Sequence, residues 1–110
     1  FWQHWKEAGA QIIIQKYDFH AEYLPQRRGA DLSPLKRLPC WHLMRDMPIL
    51  IDGTVPACKE DLGRRATIGN VLKENIANIW ERNMGLYKAH LKNDWQGPCR
   101  NCDEYYSWNY

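Results

Sequence analysis

Several things are scarce in this sequence, and each scarcity removes a class. No apolar run approaches the roughly 18 residues of a membrane span; the longest are IIIQ at 12–15 and MPILI at 47–51. Charge of one sign is missing. Fifteen Lys and Arg face 13 Asp and Glu, interspersed, for a formal +2, which leaves no basic face of the kind nucleic acid requires. The opening FWQHWKEAGA sets Lys6 and Glu7 where a signal peptide needs its apolar stretch, and the first residue is not Met. The expectation is a cytoplasmic chain, bound to neither membrane nor nucleic acid, cut from a longer polypeptide. Cysteine is sparse, four in 110 residues, so without a secretory leader a disulfide scaffold is disfavoured.

What is present reads as a folding sequence: 45% hydrophobic, with six Trp and six Tyr. At this length the chain is one domain at most, small enough that extra staples are plausible. Phe1, Trp2, Trp5 and Ala8 fall at helical spacing, and Gly9 is a natural stop. AQIIIQKYDF, 10–19, reads as a short strand buried on both faces. Residues 22–38 hold Pro25, Gly29 and Pro34 among Arg27, Arg28, Lys36 and Arg37, and read as a solvated linker. Asp52-Gly53, between the apolar segments MPILI and TVPAC, predicts a hairpin with a type I′ turn, its strands limited by Pro48 and Pro56. Leu72, Ile76, Ile79 and Trp80 share one helical face. Asn83 is read as the cap of a second short helix through Tyr87 and Leu91, ended by Gly97-Pro98.

Cys40 and Cys58 would stand at the two ends of the hairpin, with Cys99 and Cys102 as a CxxC pair. A thioredoxin-type redox pair does not fit, because Cys99 follows Pro98 and opens no long helix. A tetrathiolate metal site remains, and four thiolates suit both zinc and an iron–sulfur cluster. The 17 residues between Cys40 and Cys58 lean away from zinc, whose structural sites favour two short knuckles. A zinc-stapled structural or interaction module stays open as the alternative.

Cys40, twelve residues, GTVPAC at 53–58, then KED, TIGNVLKENIANIW at 67–80 and CRNC at 99–102 resemble the SPASM/twitch auxiliary-cluster domain of radical S-adenosylmethionine enzymes. DLSPLKRLPCW and CDEYY resemble the spiro-SPASM group within it. The two-cluster form continues past the CxxC with further cysteines, whereas Trp108 stands at the first of those positions here. The resemblance therefore implies the shortened form, with one [4Fe-4S] cluster on Cys40, Cys58, Cys99 and Cys102. It implies an α+β fold: a small β-hairpin plus helices closed by the cluster at 39–110, preceded at 1–21 by the last helix and strand of a partial TIM-type barrel. S-adenosylmethionine and an unknown peptide or small-molecule substrate would belong to that barrel, carried by the same polypeptide. No C-x3-C-x2-C triplet occurs, so the piece cannot be catalytic alone. Electron transfer to or from substrate, or structural support, is the implied role.

His4, His20, His42 and His90 are scattered without metal spacing and are expected on the surface or in ordinary hydrogen bonds. His42, two residues past Cys40, is the histidine expected to back the thiols. Trp41, Trp80, Tyr105, Tyr106 and Trp108 are expected in the core or shielding the site. Trp41, Tyr105 and the amides around Asn101 are expected to surround the sulfurs, and Asp103 and Glu104 to be solvated.

Overall fold

The computed structural model describes residues 2–13, 16–27, 29 and 33–106. Its elements run α1 (Trp2–Glu7), α2 (His42–Arg45), β1 (Thr54–Pro56), β2 (Thr67–Asn70) and α3 (Ile76–Leu91), followed by 3-10 turns at Gly97–Cys99 and Glu104–Tyr106. This is a small α+β arrangement. Trp108 of the expected aromatic shield lies outside the described residues.

A two-stranded antiparallel sheet forms, but not between the predicted segments. β1 pairs with β2, Thr54 opposite Asn70 and Val55 opposite Gly69, with a register shift at Pro56. Proline has no N–H for the ladder, and a bulge is where a sheet tolerates it. Residues 46–50 form no strand. The Asp52-Gly53 turn is real: Gly53 N–H donates to Leu50 O at 2.9 Å, and Leu50 N–H donates to Thr54 O at 2.9 Å. Of the Asp52-Gly53 pair only Gly53 is left-handed, at φ +77°, so the type I′ expectation is corrected to a turn followed by one left-handed glycine. Asn70 holds this turn to β2, its Nδ2 donating to Asp52 O at 3.1 Å.

One helix replaces the predicted two. α3 starts at Asn75, whose side chain accepts from the Ala77 amide. It ends where left-handed Asn93 lets its own amide bond His90 O and the Asp94 amide bond Ala89 O, a Schellman closure. Its inward face carries Ile79, Asn83 and His90. Asn83 is not a cap: fully buried in mid-helix, its Nδ2 donates to Leu43 O at 2.8 Å and to Asp46 O at 3.3 Å. That clasp draws α2 onto α3.

The core centres on Cys40, Leu43 and Tyr105, with Leu86, Tyr87 and Tyr106 packed against it. Helix α1 forms and stops at Gly9 (φ +72°), but residues 3–11 are exposed. The doubly buried strand at 10–19 is not formed among the described residues, and Ile13 is 71% exposed; a strand of that kind needs sheet neighbours on both edges, and none are present there. Residues 16–22 instead lie against the cysteine-bearing loops. Phe19 and Ala21 are buried, Ala21 O accepts from Arg65, and Glu22 Oε1 accepts from Asn101 at 2.7 Å.

Candidate metal centre

Three separate stretches of chain deliver the four thiols. Cys40 sits just ahead of α2, Cys58 in the loop joining β1 to β2, and Cys99 and Cys102 in and after the 3-10 turn that follows α3. The Cys58 loop is built by Asp61, whose carboxylate accepts the amides of Arg65 at 3.1 Å and Ala66 at 2.8 Å. The Cys99 turn is closed by its own amide on Gln96 O at 3.1 Å and by the Arg100 amide on Gly97 O at 3.2 Å. Cys40 is fixed from behind, its amide donating to His90 Nδ1 at 3.3 Å.

All four cysteines are free and line one cavity with about 390 Å³ of non-atom space, its open side included. Burial pushes every one of the four thiols upward, Cys58 to about 12 and Cys99 to about 11. Each of the six possible pairs among them adds mutual repulsion between thiolates. Opposing this, the amides of His42 and Leu43 donate to Cys40, that of Glu60 to Cys58, and that of Glu104 to Cys102 at 3.4 Å. Amides aimed at sulfur stabilise a thiolate, and a cation that replaces the thiol protons would remove the remaining penalty.

Four thiols from separate loops suit the donor set of a tetrathiolate zinc and of an iron–sulfur cluster alike. Among the described residues, Asp18, His20 and Glu60 also bring three potential ligand atoms within 4.8 Å of one another.

Several site residues were missed or misplaced by sequence reasoning. His90, not His42, is the histidine on the cavity; burial first, and the nearby Arg37 second, depress it to about 4, so it is neutral near pH 7. The His42 ring turns away to Asp46 Oδ2 at 2.7 Å, and only its amide reaches Cys40. Arg37, placed in the linker, lines the cavity. Asp103 and Glu104, expected in solvent, are 4% and 1% exposed and ion-pair with Lys16, at 3.1 Å for Asp103. The sulfur-directed amides belong to residues two or three past Cys40, Cys58 and Cys102, and Asn101 is not among them. Tyr105 lines the cavity; Trp41 stacks on His42 with ring centroids 3.9 Å apart and borders a separate groove. An arginine three residues before Cys40 was the available signal for Arg37. Nothing local marked His90, 50 positions from its partner.

The sequence profile of the SPASM family, described as an iron-sulfur cluster-binding domain, matches residues 40–103. An uncharacterized protein of Treponema pallidum (strain Nichols) is 50% identical over all 110 residues. The chain spans 31% of that protein's length. No solved structure matches. No helix among the described residues is long and apolar enough to cross a membrane.

Proposed function

We propose, from the premise that this chain belongs to the SPASM family of iron-sulfur cluster-binding domains, that Cys40, Cys58, Cys99 and Cys102 together hold one [4Fe-4S] cluster. The observation that carries this reading is the meeting of four free, mutually interacting thiols on a single cavity, all four within the stretch that the family profile matches. Such a cluster, when bound, supplies one-electron transfer at a potential tuned by hydrogen bonds to sulfur and by burial. The chain's own residues do the rest. The amides of His42, Leu43, Glu60 and Glu104 orient and stabilise the thiolates. Tyr105, Leu43 and Pro98 close the walls against water. Four thiolates would fill all four irons of such a cluster, leaving no iron for substrate and making the domain an auxiliary centre.

In this reading the domain serves a radical S-adenosylmethionine enzyme whose barrel belongs to the same polypeptide, exchanging electrons with a peptide or small-molecule substrate held there. Residues 1–21 would be the barrel's last elements, taking up strand pairing beside the rest of it. The test is anaerobic reconstitution followed by iron, acid-labile sulfide and zinc analysis per chain. Four irons and four sulfides with broad visible absorption are expected. One zinc, colourless and without sulfide, would refute the reading in favour of a structural staple.

A further inference from the structure

Arg37 is half-buried and faces the cavity that the four thiols share. Its Nη1 donates to Arg100 O at 2.8 Å, and its Nη2 donates to Cys102 O at 3.0 Å and to Cys99 O. Three carbonyls of the CxxC loop are thus gathered on one guanidinium. The cation also lies over the Trp95 ring at 4.2 Å and the Tyr105 ring at 5.0 Å. Its Nε is buried with no hydrogen-bond partner.

Charge balance around the cavity sets Arg37 apart. Among the described residues that line it, Arg37 is the sole lysine or arginine. The acidic residues on the same wall each have a cation or donor of their own: Glu104 has Lys16, Glu60 has His20 at 2.9 Å and Lys59 at 3.4 Å, and Asp61 has Arg65 at 3.5 Å beside its two amides. Arg37 meets neutral carbonyls and rings, and no carboxylate among the described residues pairs with it. Among the described residues, the positive charge is held by three carbonyls and meets no carboxylate.

We propose that Arg37 is a positioning residue that pins the Cys99–Cys102 loop and, through its charge, draws the one-electron couple of the thiol-bound centre toward the reduced state. The proposal rests on the cluster reading above. Adding one electron from an external donor makes an anionic, thiolate-bound centre more negative, and a fixed cation in a partly desolvated wall favours that state. Arginine suits the task because it stays protonated and its fork reaches several oxygens at once, where lysine offers a point charge.

The experiment is a dithionite-poised redox titration of the reconstituted chain, followed by the paramagnetic signal of the reduced centre, on the parent, Arg37→Met, Arg37→Gln and Arg37→Lys. Iron and sulfide are counted first; a parent lacking four of each defeats the cluster reading itself, separately from the role of Arg37. At fixed potential the loaded Met and Gln variants should show a reduced-to-oxidised ratio at least tenfold lower, equal to about 59 mV for one electron. Arg37→Lys should stay within threefold of the parent. A fully loaded Arg37→Met or Arg37→Gln with the parent's potential would overturn the proposal. If both uncharged variants lose the cluster while Arg37→Lys keeps it, the charge is supported as the element required. Loss in all three would overturn the role of the charge, leaving Arg37 as a staple that pins the loop through its fork alone.

Discussion

Asn83→Asp changes one atom of the clasp between α3 and α2, and the structure fixes the consequence. Asn83 has no solvent exposure, and its Nδ2 supplies both hydrogen bonds, to Leu43 O and to Asp46 O. Its Oδ1 is buried without a partner, so the position already lacks donors. A carboxylate there offers none. Leaving the buried Leu43 carbonyl unsatisfied costs about 1–3 kcal/mol, and loss of the Asp46 bond about 0.5–1.5 kcal/mol more. Burial of an unpaired carboxylate adds to this until the group protonates. The expected loss at pH 7 is about 3–5 kcal/mol, a large part of the 5–15 kcal/mol typical of a small domain. The introduced acid has its folded-state pKa raised above the unfolded value near 3.9. Its penalty is therefore absent below that value and grows as pH rises toward the folded-state pKa. Denaturant unfolding of loaded protein at several pH values, with iron content in parallel, provides the assay. Iron retention should fall as well, because the clasp positions the α2 amides that donate to Cys40. A variant within 0.5 kcal/mol of the parent at pH 7, or one that gains stability relative to the parent as pH rises, would refute the reasoning.

Gly69→Ala should cost about 1–3 kcal/mol by overpacking, because a Cβ there would lie 2.8 Å from Ile79 Cγ1 and within 3 Å of the Glu74 and Arg82 side-chain ends; unchanged unfolding would show that this crossing can relax. His90 is held at about 4, below its ordinary 6.5, so between these values the unfolded chain binds a proton that the folded one refuses. Stability should rise with pH across that window by at most about 1.4 kcal/mol per unit. His90→Asn, which keeps an acceptor for the Cys40 amide, should flatten the rise; an identical profile would assign the slope to other groups. In the radical S-adenosylmethionine enzyme proposed above, Cys99→Ala with Cys102→Ala should impair formation of modified product far more than formation of 5'-deoxyadenosine. Retention of both at parental rates would exclude an electron-transfer role.

Chemistry was more legible in the sequence than pairing. Four thiols at distinctive spacings mark the site, and Asp52-Gly53 marks a turn, because each depends on local residue type. The partner of β1 was not legible. Residues 47–51 look as strand-like as 67–70, and the choice between them rests on Asn70 bonding the turn and on the bulge at Pro56. Asn83 misled because asparagine caps helices by accepting, whereas here it donates across a helix pair, and sequence does not record that direction. Asp103 and Glu104 look like solvent residues until Lys16, 87 and 88 positions away, covers them. Arg37 was hidden in a stretch whose prolines and charges matched a linker.

The stitches between residues 16–22 and the thiol loops have a practical consequence for anyone excising or transplanting this domain. A cut at the edge of the family match, residue 40, would discard Lys16, His20, Ala21 and Arg37. Glu104 and Glu60 would lose ion-pair partners, Arg65 would lose its Ala21 carbonyl, and the CxxC loop its guanidinium. Two acids would then face the sulfurs with less compensation than they have now, and one wall of the cavity would open. The contacts that support the thiol loops therefore reach beyond the stretch that identifies the family.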